Sequence, residues 1–362
     1  MEQSLYLEEV KKYFPGLAAR VVEKLNDTKN PLTYLHRRML TKQYSYDLKW
    51  ESFINVNGGL VAADVVAMDS SLPLKLRDSL SGASGEIPKL GIELALREKQ
   101  LTELGILSRT PGRKPELLAK LFADTPRVIN AQYETLEYMF LQGLSTGITS
   151  ITDTNNVGTA VRIDYGYLNA NKFGVPVVWS NSSSTPFADL QNRPMAKAAA
   201  DGNKIIRFFL DQATWTNIAK TTEAKQLYAN SISFYGSTLP VPNFAQLNAA
   251  TQAQYGFVFE IVERSVRFEK NGVRTTLKPW ATGAMVGITS ENVGSITYGT
   301  LAEMDHPVAG VTYETVDDFI LLSKYRENRP SLAEFTNSQS LVLPVIEGVD
   351  GIYLVDSTTV QA

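Results

Sequence analysis

The chain has 362 residues, 44% hydrophobic and 20% charged, with a formal net charge of -3. That length suffices for a substantial core in two or more lobes, and the apolar and aromatic content excludes a disordered or fibrous chain. The near-neutral balance excludes a protein that grips a polyanion through a strongly basic face, and the absence of cysteine excludes disulfides and thiolate metal sites.

In "MEQSLYLEEVKKYF" the apolar Leu5, Leu7, Val10 and Phe14 lie near helical spacing. The stretch is charged and amphipathic, without the apolar centre of a secretory signal, so a cytosolic, non-secreted protein is expected. No run approaches the roughly 18 apolar residues of a membrane span. Pro15-Gly16 predicts a break before "LAARVVEKL", and "NDTKNP" ends that second helix. "LTYLHRRMLTKQY" then begins a basic amphipathic stretch carrying Arg37, Arg38 and Lys42. Residues 1–44 read as a short N-terminal arm, too small to hold a core.

Residues 45–92 are strand-like. Within them, "LKLRDSLSGASGE" sets Leu74, Lys75, Arg77 and Asp78 before a glycine-serine tip at Ser81, Gly82 and Gly85. Such a hairpin has too little apolar surface to fold alone and too much to be left bare. A helical part follows, with Ile92, Leu96, Leu101 and Leu104 on one face, interrupted at "SRTPGRKP". In "TPRVINAQYETLEYMFLQGL", Val128, Ala131, Leu136, Met139 and Phe140 can share a face, and Gly143 and Gly147 end the helix before the alternating strand "ITSITD".

Beyond Asp164 the elements are mixed. "KFGVPVVWS" reads as strand, "MAKAAADGNKIIRFFLD" as helix then strand, and "TWTNIAKTTEAKQLYANS" as helix. Asn271-Gly272 in "RSVRFEKNGVRTTLKPW" predicts a hairpin, because a type I′ turn needs positive φ at both central residues. "QSLVLPVIEGVDGIYLVD" gives two closing strands around Gly348 and Gly351. The whole reads as an α+β chain.

Candidate chemistry is sparse. "GLSTG" matches G-x-S-x-G with Ser145 as nucleophile, but that elbow needs a strand before the serine and a helix after it, and here the order is reversed. "EMDHP" gathers Glu303, Asp305 and His306 on one short loop, better explained as a surface turn than as a metal site. No phosphate-cradling glycine motif is present. Arg37, Arg38 and Lys42 make a small basic cluster, read as a solvated helix face, or as a contact to a neighbouring subunit or to packaged polyanion. Trp50, Trp179, Trp215 and Trp280 read as core or interface anchors.

The second half resembles tailed-phage major capsid proteins of the lambda type. The likeness runs through "RIDYGYL", "VVWSNSSSTPFADLQ" and "DGNKIIRFFLDQATWTNI", at Asp164-Tyr165-Gly166, Trp179-Ser180, Pro186, Asp189, Asp211 and Trp215. It continues in "LKPWATGAMVGITSENVGSITYGTLAEM", at Tyr298-Gly299 and Glu303, and in the closing strands. "EIPKLGIELALREKQLTELGIL" is similar to the family's segment after its extended loop. In order, the likeness covers roughly Pro31 to Val355.

The resemblance implies the Hong-Kong-97-type capsid fold, with segments 1–44 (N-terminal arm), 45–92 (extended loop), 93–165 (peripheral domain with a spine helix), 166–324 (axial domain) and 325–362 (returning C-terminal strands). It implies a structural, non-enzymatic subunit without cofactor or metal, forming pentamers and hexamers that close into a shell around double-stranded DNA. The implied partners are a portal protein, a separate scaffolding protein, a decoration protein in some heads, and DNA contacted non-specifically. The implied place is the virion, after assembly in the host cytoplasm. Leu74, Lys75, Arg77, Asp78, Ser81, Gly82 and Gly85 become intersubunit contacts of the loop, and Arg37, Arg38 and Lys42 contacts of the arm. An encapsulin-like nanocompartment shell and a serine hydrolase built on Ser145 are the alternatives.

Overall fold

A computed structural model describes residues 1–25, 27, 33–54, 81–152 and 160–361. Two compact units divide the chain. The first gathers Met1–Trp50, Gly85–Tyr138 and Ser295–Val345, and the second is built mainly from Met139–Gly294 and the C-terminal residues from Ile346. The units interleave along the chain, whereas the segmentation read from sequence is consecutive.

The first unit is organised by a six-stranded sheet. Its path runs Leu40–Tyr44, Gly294–Gly299, Ala333–Ile346, Ile320–Glu327, Thr312–Val316, and Lys89–Arg97 pairs antiparallel with the long Ala333–Ile346 strand. The Thr125–Thr146 helix buries Val128, Ile129, Tyr133 and Leu136. Thr336, Ser338 and Ser340 alternate on one face of their strand and are buried. Helix and strand satisfy these polar groups reciprocally. Gln132 Nε2 donates to the Ser338 carbonyl at 3.1 Å, Ser340 Oγ donates to Gln132 Oε1 at 2.8 Å, and Ser338 Oγ donates to the Val128 carbonyl at 2.7 Å. Unmade, each such bond leaves a buried group unsatisfied at a cost of about 1–3 kcal/mol.

Four local expectations are corrected here. Pro15-Gly16 does not break the first helix, which runs Leu7–Glu23 and buries Val10, Phe14 and Ala18 at four-residue spacing. That apolar stripe, with Phe14 stacked on Phe122 at 6.4 Å, outweighs the one hydrogen bond that a proline removes. This helix is thus packed within the first unit. The basic stretch is helical only over Leu35–Met39 and then becomes the strand Leu40–Tyr44. The strand Lys89–Arg97 runs past the expected change to helix at residue 93, because Leu90, Ile92, Leu94 and Leu96 alternate at period two and a long partner strand rewards that reading. Helix begins at Glu98 and runs to Arg109. "SGASGE" is no tip either: Ser81–Glu86 is a strand, paired with Lys49–Ile54 in a two-stranded ladder.

The "SRTPGRKP" interruption is borne out, since it separates Glu98–Arg109 from the Lys114–Leu121 helix. The long helix is therefore the 22-residue Thr125–Thr146 alone, about 33 Å at the usual rise of about 1.5 Å per residue.

The second unit has a five-stranded sheet in the order Lys172–Val175, Ile352–Val360, Ala284–Ile288, Arg207–Leu210, Val258–Ile261, with the two outer pairs parallel and the central pairs antiparallel. Its core packs Trp179, Phe187, Phe208, Trp215, Phe257 and Phe259 against Met285 and Tyr353. The hairpin predicted at Asn271-Gly272 is present, joining Val266–Lys270 to Val273–Leu277 with φ of 52° and 79° at the turn.

Candidate assembly surface

The basic cluster is used within the first unit. Lys42 Nζ lies 2.7 Å from Asp317 and 2.6 Å from Asp318, and Arg37 lies 3.7 Å from Asp317 while covering the Tyr133 ring at 5.2 Å. Burial works against the Lys42 ammonium, but hydrogen bonds and charge from the two aspartates prevail and raise its pKa. Both aspartates sit in the left-handed region, at φ of 54° and 73°, so the turn itself aims their carboxylates at this segment. Tyr133 Oη donates to Asp317 at 2.5 Å, and burial, with the aspartate charge, pushes its hydroxyl pKa far up. Arg38 is exposed on the same segment.

One turn of the long helix grips the chain just ahead of these cations. Glu137 accepts from the backbone N–H of Leu35 at 2.9 Å and of His36 at 3.0 Å, and contacts His36 Nδ1 at 2.6 Å. Glu134 accepts from Tyr34 Oη at 3.0 Å. Burial would raise the Glu137 carboxyl, but the bonds from His36 and the two amides together hold it below its ordinary value. Neither Glu137 nor Asp317 stands out in the sequence, because pairings across a hundred residues or more leave no local pattern.

Of the expected loop contacts, Leu74, Lys75, Arg77 and Asp78 lie outside the described residues. Ser81, Gly82 and Gly85 lie on the ladder strand. At Gly85 a Cβ would come within 2.8 Å of Trp50 Nε1, so the indole lies directly on the glycine backbone and fixes the base of the ladder. Trp50 is buried, as an anchor should be.

Of the enzyme-like motifs, Ser145 is taken up in packing, whereas Asp305 and His306 lie exposed. Ser145 is 1% exposed; its hydroxyl donates to the Gln142 carbonyl of its own helix at 3.3 Å and accepts from Ala281 N–H at 3.1 Å. Helix precedes it and the Ile148–Ile151 strand follows, the reverse of a nucleophile elbow. Gly143 is required because a Cβ would meet the Tyr165 ring at 2.6 Å, and Gly147 ends the helix at φ 79°. Glu303 accepts from Tyr313 Oη and Gln339 Nε2 at 3.3 Å.

The residues that carry the family resemblance have structural duties. Tyr165 is fully buried against Gly143. Trp179 Nε1 donates to Asp189 at 2.9 Å; burial still raises that carboxyl's pKa despite the bond. Pro186 sits in the first turn of the Pro186–Leu190 helix, and Asp211 caps the Gln212–Lys220 helix by accepting from Thr214 N–H at 2.9 Å. Tyr298 packs edge-on against Tyr44 at 5.6 Å. Such duties hold a fold together.

Comparison with known proteins agrees. The family model "Phage major capsid protein E" matches residues 18–353. Among solved structures, a candidate capsid protein of a prophage from E. coli CFT073 is 12% identical, with a TM-score of 0.57, over 94% of this chain and 97% of that one. A phage-related protein from Bordetella bronchiseptica RB50 is 12% identical with a TM-score of 0.47, over 96% and 98% of the two chains. The procapsid of satellite phage P4 with its size determination protein is 11% identical with a TM-score of 0.43, over 99% and 92%. No curated protein matches the sequence. The first of these structures shows the shared fold, of the Hong-Kong-97 type. With the family model spanning nearly the whole length, this chain belongs to the phage major capsid protein E family.

Proposed function

We propose that copies of this chain assemble as pentamers and hexamers and close into an icosahedral or prolate head around double-stranded DNA, with no catalysis of their own. The observation that carries the proposal is the family match across residues 18–353. Neither the nanocompartment nor the hydrolase alternative receives support from it. Heterologous contacts close into rings, and rings meeting at fixed angles close a shell. Contacts that must hold a closed shell need large areas, above about 2,000 Å² per subunit. Within residues 45–92, the stretch between the two ladder strands supplies part of that area as an extended loop lying across a neighbour, and its mixed apolar and charged side chains suit an interface better than a core. A net charge of -3 suits a wall that confines DNA without gripping it. A portal protein, a separate scaffolding protein and, in some heads, a decoration protein complete the set of partners, and the head is built in the host cytoplasm.

The loop assignment is tested by the triple variant Lys75→Ala, Arg77→Ala, Asp78→Ala. Its subunits are expected to fold with unchanged thermal midpoint, while the yield of closed particles seen by electron microscopy drops about tenfold or more. Normal particle yield would displace the loop from the interface. Deleting "SGASG" is a poorer test, since it would remove a strand of the ladder.

A further inference from the structure

Asn271 and Gly272 make the turn between the Val266–Lys270 and Val273–Leu277 strands, and the same two residues carry a chemistry of their own. In an Asn-Gly pair no Cβ keeps the glycine nitrogen away from the asparagine side-chain carbonyl carbon. The nitrogen loses its proton to hydroxide and attacks Asn271 Cγ. A C–N bond forms, the side-chain nitrogen leaves as ammonia, and a cyclic imide results. Water then opens the imide. Addition at Cγ restores the main chain with Asp in place of Asn, whereas addition at the main-chain carbonyl leaves the chain running through Cγ, as isoaspartate. Water is consumed and ammonia released, with no oxidation or reduction.

The structure singles out this pair. Asn or Asp precedes glycine at Asn57-Gly58, Asp201-Gly202, Asn271-Gly272 and Asp350-Gly351. The first lies outside the described residues. Both aspartate pairs are tied down. Gly202 N–H donates to the Ala199 carbonyl at 3.1 Å, while the Asp201 carboxylate holds Lys197 and accepts from Tyr353 Oη at 3.1 Å. Gly351 N–H donates to the Gly348 carbonyl at 2.9 Å, and the Asp350 carbonyl accepts from Asn171 Nδ2 at 3.1 Å. At Asn271-Gly272 nothing is held. Both residues are exposed, neither the Asn271 side chain nor the Gly272 N–H has a hydrogen-bond partner among the described residues, and a Cβ on Gly272 would meet nothing within 4 Å. Ring closure requires Asn271 to leave its turn geometry, and little resists that. The hairpin is a two-stranded ladder apart from both larger sheets, with residues 271–276 exposed. A ladder of two strands is marginal by itself, so its turn opens at small cost.

We propose that Asn271 is a site of spontaneous deamidation in the folded protein, with isoaspartate among its products, and that isoaspartate opens the hairpin. The rearranged chain is longer by a backbone carbon in a turn that fits two residues, so the Lys270–Val273 pair that closes the ladder is lost. A carboxylate also replaces a neutral amide close to Glu269. The inference goes beyond the shell reading and does not depend on it. The test ages purified full-length protein at mildly alkaline pH, folded by circular dichroism in one series and unfolded in urea in the other, with peptide mass mapping and enzymatic isoaspartate labelling at intervals. Asn271 in the folded protein is expected to convert within about tenfold of its rate in urea, whereas folding should slow isomerisation at Asp201 and Asp350 by more than about tenfold. If Asn271 stays intact in the folded protein while it converts in urea, the fold protects the turn and the inference fails. Hydrogen exchange over residues 266–277 tests the opening. The aged protein should exchange about tenfold faster there than the Asn271→Asp variant, which carries the same charge on an unaltered main chain. Equal exchange in the two would overturn the claim that isoaspartate opens the hairpin.

Discussion

Lys324 is buried, donating to the Leu121 carbonyl at 3.2 Å and to Thr336 Oγ1 at 2.8 Å, with the Phe122 ring 5.7 Å away. Burial lowers its pKa from 10.5 to about 8, the charges of Glu334 and Asp124 offsetting only part of the effect. Between those two values the unfolded chain binds a proton that the folded chain has lost, so stability rises with pH across that window. Below about pH 8 the full cost of burying the charge is present, of the order of 3 kcal/mol. Replacing Lys324 by Met removes that titration. The stability of the Met variant relative to wild type is therefore expected to be most favourable at neutral pH and to decline by up to about 3 kcal/mol as pH rises through this window. Urea denaturation of the unassembled subunit across pH 7 to 11 measures the difference, and a flat difference would contradict the assignment.

At the scale of elements, glycines in two helices are expected to respond in opposite directions. Gly105, within Glu98–Arg109, has open space where a Cβ would stand, so Gly105→Ala should stabilise by about 0.5–1 kcal/mol. Gly143, within Thr125–Thr146, meets Tyr165 at 2.6 Å and Thr149 Oγ1 at 2.8 Å, so Gly143→Ala should destabilise by about 1–3 kcal/mol through overpacking. Denaturation midpoints of the two variants decide both points. Much of this level was legible in the sequence. The Asn271-Gly272 hairpin, the break at "SRTPGRKP" and the closing strands each follow from local chemistry that tertiary contacts reinforce. The failures have one cause. Leu7–Glu23 persists through Pro15, and Lys89–Arg97 extends as strand, because distant partners reward a pattern that a local window leaves ambiguous. The same holds for the pairs that anchor the N-terminal segment. Arg37 and Lys42 could be singled out as a cluster, but Asp317 and Glu137, which receive this segment, lie far along the chain.

For the whole molecule, the family resemblance carried more than any single motif, because it depends on the order of many weak features. Trp179, Asp189, Asp211 and Tyr165 each have a plain structural task, and only their succession is distinctive. Membership in a capsid family carries the central claim, that the work of this chain is done between its copies. Cryo-electron microscopy of the protein purified after expression, with its cognate head proteins co-expressed where it does not assemble alone, tests that most directly. The expected result is closed shells of full-length chains in five- and six-membered rings, with the stretch between the two ladder strands of one subunit lying across the next. A monodisperse monomer under all salt conditions, with or without those proteins, would contradict it.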